Sequence, residues 1–151
     1  MTIETVASVA TAAGVILAAW QLELSRRQAT TQFEDNLNMQ YREIIRRIPI
    51  NALLGAKLDL AGQQEALADF YHYFDLSNEQ AFLMRQGRIR KRTWKDWQEG
   101  IAQHLSKPAF AAAWQEITSR STSFDDLKEL VPAAGRLVAP GTKSAQGKNH
   151  G

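Results

Sequence analysis

On a helix, the imidazole of His72 and the carboxylates of Asp75 and Glu79 fall at i, i+3 and i+7, with Asn78 alongside, inside the aromatic-rich segment 70–82. An imidazole and two carboxylates on one face have the chemistry to bind a divalent metal or to carry acid–base work. A metal site there needs further ligands from a second helix, and Glu34, Asp35 and Glu43 are the carboxylates to hand. The same four side chains suit a hydrogen-bonded polar seam, because polar groups inside a helical bundle must find partners. We expect that structural or assembly role, with a metal-dependent enzyme as the alternative. No catalytic residue, metal or cofactor is assigned.

The second group with chemical potential is the basic segment 84–95, which holds Arg85, Arg88, Arg90, Lys91, Arg92 and Lys95 and no acid before Asp96. As a loop it could meet anionic lipid headgroups, each charge contributing about 1 kcal/mol near a membrane surface. Phosphates of RNA or DNA are a second partner, and a solvated linker needs no partner at all. A membrane anchor elsewhere in the chain favours lipid over nucleic acid.

Other chemistries find no foothold. Cysteine is absent, which removes disulfides, thiol catalysis and cysteine-based zinc sites together. A glycine-rich phosphate loop, G-x-S-x-G and H-E-x-x-H are all missing. None of the three histidines has the upstream arginine spacing of helical ribonucleases of the HEPN type. A net charge of +2 over 151 residues argues against a surface built wholly for nucleic acid.

The elements that position these groups read as helices. Residues 5–22 carry no charge, and as a helix they span about 27 Å, just enough for a bilayer core. Insertion rests on Val6, Val9, Val15, Ile16, Leu17 and Leu22 among many Ala, Thr and Ser, with Trp20 near one end. We therefore expect a single membrane span at residues 1–24. Arg26 and Arg27 follow it and no basic residue precedes it, so the N-terminus is expected outside and the rest in the cytoplasm, at an inner membrane. Ala10, Gly14 and Ala18, four apart, offer a small-residue face for helix–helix association and a homo-oligomer.

No Gly or Pro interrupts residues 15–48, and Phe33, Leu37, Tyr41, Ile44 and Ile48 form one apolar stripe, so the anchor is expected to run into a first cytoplasmic helix ending at Pro49. A long helix is expected over 63–86, burying Leu67, Phe70, Tyr71, Phe74, Ala81 and Phe82, with Gly87 as its C-terminal cap. Thr93 with Asp96 resembles a capping box for a helix burying Trp94, Trp97, Ile101 and Leu105. Pro108 begins another with Phe110, Trp114 and Ile117, and Ser123 with Asp126 opens a last short one. The fold class is all-α, a bundle of four to five helices over 25–131, followed by a disordered tail over 132–151.

In the order of these features the chain resembles small bacterial membrane proteins of domain-of-unknown-function type. Tyr73, Phe74, Asp75, Asn78, Glu79, Gly87, Trp94 and Trp97 carry the resemblance. It implies an N-terminal span plus a helical domain, and no particular reaction. The expected function is that of a membrane-anchored helical protein acting through self-association or partner binding.

Overall fold

The computed structural model describes residues 2–138, apart from the side chains of residues 3–7, 9, 10 and 138. The described residues form eight helices and no strand: α1 (Ile3–Ile45), α2 (Ile50–Leu53), α3 (Leu60–Glu65), α4 (Leu67–Arg85), α5 (Lys91–Leu105), α6 (Pro108–Arg120), α7 (Asp125–Leu130) and α8 (Pro132–Val138). The all-α class is as expected from the sequence. The chain divides into two compact units, one up to Gln40 and one beginning at Tyr41. The expected boundary lay near residue 24.

The first unit is helix alone. Its polar stretch is supported locally: Arg27 Nε pairs with Glu23 at 2.8 Å, and the Thr30 and Thr31 hydroxyls donate to the carbonyls of Arg26 and Arg27. The exposed i,i+4 ion pair contributes only about 0.3–0.5 kcal/mol. Among the described residues no helix is long and apolar enough to cross a membrane. The expected span over 5–22 is thus without support there, because its many Ala, Thr, Ser and Gln dilute the apolar residues. Part of that span, including Ala10, has side chains outside the described residues.

The second unit is organised around α4, which packs against α5, α6 and α7, while α8 closes over α5, α6 and α7. Its centre is aromatic. Phe70 meets Phe110 edge-on at 4.9 Å, Phe74 meets Trp114 at 4.8 Å, and Trp114 meets Phe124 at 5.5 Å. All five rings are essentially inaccessible. Edge-to-face pairs of this kind add about 0.5–1.5 kcal/mol beyond the area they bury.

Several local expectations change. α1 ends at Ile45 rather than at Pro49. The expected helix over 63–86 is two, α3 and α4, meeting at Ala66, and the Asp59 carboxylate caps α3 by accepting from the Gly62 N–H at 2.8 Å. Tyr71 and Phe82, expected inside, are exposed; Tyr73, Leu76 and Leu83 take the inward positions instead. Trp97 is half-buried. α5 starts at Lys91, so Thr93 lies within its first turn and does not open it. α8 occupies residues 132–138, assigned from sequence to the tail; Val131 and Ala134 are fully buried, and the Trp114 indole N–H donates to the Ala134 carbonyl at 3.0 Å. The remaining tail lies outside the described residues.

Candidate functional site

α4 carries the first candidate group, and its helical register leaves three of the members on the solvent side and sets Asn78 apart from them. His72, Asp75 and Glu79 lie on the exposed side, while Phe70, Tyr73, Phe74 and Ser77 lie inside. Among the described residues no three His, Asp or Glu side chains are grouped so as to hold a metal ion. Glu34 is buried, and Asp35 and Glu43 are exposed.

Asn78 has a different task. Its Oδ1 accepts the Leu127 backbone N–H at 3.0 Å, which satisfies one of the free donors at the start of α7. α7 needs this help. Its N-cap residue is Phe124, with no side-chain acceptor and a left-handed backbone at φ 79. Bulky residues rarely adopt that conformation, and here the buried phenyl ring, packed against Tyr71 and Trp114, offsets its strain. Ser123, expected to cap this helix, does not.

The inner side of α4 holds a polar pair not foreseen from sequence. The Tyr73 hydroxyl and His104 Nδ1 lie 3.0 Å apart, satisfied by the hydroxyl donating to Nδ1 or by Nδ1–H donating to the phenol oxygen. His104 stacks on Phe110 at 4.8 Å, and Tyr41 lies 6.3 Å from the Tyr73 ring. Burial, and then the Lys107 charge, push His104 down to about 4. Burial, and then the Tyr41 phenol, push Tyr73 above the usual phenol range; burial also raises Tyr41. At neutral pH the pair is therefore uncharged, as a group inside an aromatic cluster should be. The sequence signal was present: Tyr73 sits between Phe70 and Ser77 in register, and His104 between Ile101 and Leu105.

The basic segment is a structured corner and not a loose loop. Gly87, at φ 69, ends α4 with its N–H on the Met84 carbonyl at 2.9 Å, and Arg88 N–H reaches the Leu83 carbonyl at 3.0 Å. This is the two-bond Schellman closure, and only glycine takes the left-handed position without cost. Ile89 and Trp94 are buried, so Arg88, Arg90, Lys91, Arg92 and Lys95 are turned outward. Arg85 is separate from them, with Nη1 on Asp126 Oδ1 at 2.9 Å and on Glu129 Oε2 at 2.8 Å. The first turn of α5 contains no acid, and Arg90 gives no side-chain cap. A cation at a helix N-terminus opposes the macrodipole by about 0.3–1 kcal/mol, so this arrangement works against stability.

Two further surface features stand apart from these groups. A shallow groove of about 440 Å³ has Leu67, Ala68, Tyr71 and Ile117 on its apolar side. Its rim is occupied with itself: Gln64 Nε2 donates to both Glu116 oxygens, and Arg120 pairs with Glu116 at 2.9 Å. On α1, Val15, Ile16, Leu17, Trp20 and Leu22 are each more than half exposed. At 100° per residue the first three alone point in three directions around the axis. Gly14 has open space around it and Ala18 is exposed; Ala10, the third member of that stripe, has its side chain outside the described residues.

No family model matches the chain, and neither the curated proteins nor the solved structures give a match.

Proposed function

We propose that this chain is a membrane-associated helical protein that acts by assembling with copies of itself, α1 being the associating element and the unit beginning at Tyr41 the body it carries. The observation behind the reading is the set of large apolar side chains left open on α1, at 56–69 % exposure from Val15 to Leu17 and at Trp20 and Leu22. A helix apolar on one stripe is covered by one neighbour, whereas a helix apolar in every direction calls for a surrounding apolar medium. In its finer form the proposal places residues 5–22 in the bilayer, N-terminus outside, with Arg26 and Arg27 on the inner face. Alone, such a helix inserts only marginally. Packing of copies through Gly14 and Ala18 would add van der Waals contact between backbones and shield the polar Thr, Ser and Gln side chains. The resemblance to small bacterial membrane proteins supports the same architecture. The reading assigns no reaction to the chain.

Flotation of the full chain with phosphatidylcholine vesicles, followed by an alkaline carbonate wash, tests the reading. The protein is expected to stay with the vesicles, and the Ile16→Lys/Leu17→Lys double variant to remain in solution with unchanged helix content. A full chain that fails to float, or a double variant that floats equally well, refutes membrane association. A strictly monomeric full chain in detergent, unaltered by Gly14→Ile, refutes self-assembly.

A further inference from the structure

We propose that the corner between α4 and α5 is a docking surface for the anionic headgroups of a lipid bilayer, with Lys91, Arg92 and Lys95 as its principal contacts and Arg88 and Arg90 on its edge. The proposal rests on the membrane association argued above and adds a second, electrostatic contact made by the helical unit.

Three observations carry it. The cations are held in place: the Gly87 closure and the buried Ile89 and Trp94 fix the backbone from Met84 to the first turn of α5. A flexible basic linker would lose much ordering entropy on meeting a surface, and this corner has already lost it in folding. The sign is uniform as well. Five cations and no acid lie between residues 86 and 95, and the N-terminus of α5 adds its own positive end. The acids of the neighbouring α7 are engaged with other bases, Asp126 and Glu129 with Arg85 and Asp125 with Lys128. Lys91, Arg92 and Lys95 are exposed, ahead of the acids of α5, Asp96 and Glu99, which lie further along the helix.

The chemistry of the corner favours a lipid surface over single-stranded nucleic acid. Sequence-tolerant binding of RNA or DNA strands combines cations with exposed aromatic rings on which bases stack. Here Trp94 is buried and Trp97 half-buried, and among the described residues no exposed ring lies between residues 86 and 95. A row of charges without a stacking platform suits a sheet of phosphodiester headgroups, which asks for charge density alone.

The test compares the full chain with its Lys91→Gln/Arg92→Gln/Lys95→Gln variant on phosphatidylcholine vesicles with and without phosphatidylglycerol. Wild type is expected to partition far more strongly when phosphatidylglycerol is present, and the triple variant to lose about 100-fold of that gain. High salt should remove the same gain from wild type. Both proteins should bind neutral vesicles alike and give the same circular dichroism. A triple variant that keeps the phosphatidylglycerol gain overturns the proposal. So does competition by soluble glycerol phosphate, which would mark a free-phosphate site, or a triple variant that loses binding to single-stranded RNA while its vesicle binding is unchanged. If neither protein binds neutral vesicles but the charge-dependent gain persists and falls in the variant, anchoring by α1 fails and the headgroup surface stands.

Discussion

Replacing Asn78 by Ala separates a structural role from a chemical one. Its Oδ1 is the acceptor for the Leu127 N–H in a partly buried setting, 49 residues away in sequence. Removing a capping side chain costs about 1 kcal/mol, and a partly buried donor left without a partner adds to that. We expect Asn78→Ala to destabilise the fold by about 1–2 kcal/mol, a fall in Tm of about 2–8 °C. Asn78→Asp keeps the acceptor and places a negative charge at a helix start, although Asp125 and Asp126 stand in the same first turn and oppose it. It should therefore fall between wild type and Asn78→Ala. Thermal and urea unfolding followed by circular dichroism give the magnitudes, and hydrogen exchange should show faster opening confined to α7. Unchanged stability in Asn78→Ala, or exchange raised uniformly across the protein, would refute the assignment of Asn78 as the cap of α7.

Two further outcomes follow from the core of the helical unit. Neutral His104 is the form the fold favours, since its pKa drops from 6.5 to about 4 on folding. Stability from this group is complete above pH 6.5, declines as the pH falls toward 4, and levels off below that. Because the ring is only half-buried, the total is on the order of 1–2 kcal/mol. His104→Asn, which retains an acceptor near the Nδ1 position, should flatten the urea-unfolding midpoint over that window, and an unchanged slope would dismiss the assignment. Trp114→Phe keeps a ring in the core but removes the indole N–H bonded to the Ala134 carbonyl. It is expected to cost about 1–3 kcal/mol and to loosen α8 first, visible as faster amide exchange over residues 132–138.

Much of the helical unit was legible because burial follows the 3.6-residue period. Phe70, Phe74, Trp94, Ile101, Phe110, Trp114 and Ile117 were all placed inward by spacing, and all are buried. Gly87 was legible as a cap for the same local reason. What escaped were features decided by distant partners. Ser123 has the right spacing to Asp126 for a cap, yet the acceptor for α7 comes from Asn78 on another helix, and no local pattern announces it. Tyr71 and Tyr73 are the same residue type two positions apart, so hydropathy cannot tell them apart, and it is the register with Phe70, Phe74 and Ser77 that puts Tyr73 inside. Residues 132–138 are rich in small residues and look like a tail, but Trp114 gives them a surface and a hydrogen bond to settle on. Of the candidate site, the residue types were visible from the start. Their separate surroundings were not, with Asn78 turned to α7 while His72, Asp75 and Glu79 face outward.

The four tryptophans occupy sharply different surroundings, with Trp94 and Trp114 sealed in the helical unit, Trp97 half-covered, and Trp20 standing 65 % open on α1. The protein therefore carries its own optical label on the element proposed to associate. A water-soluble quencher should reach Trp20 freely and the sealed pair scarcely at all. With Trp97 replaced by Phe, the quenchable fraction of the emission becomes a direct gauge of how much of α1 is covered, read without any dye, tag or truncation.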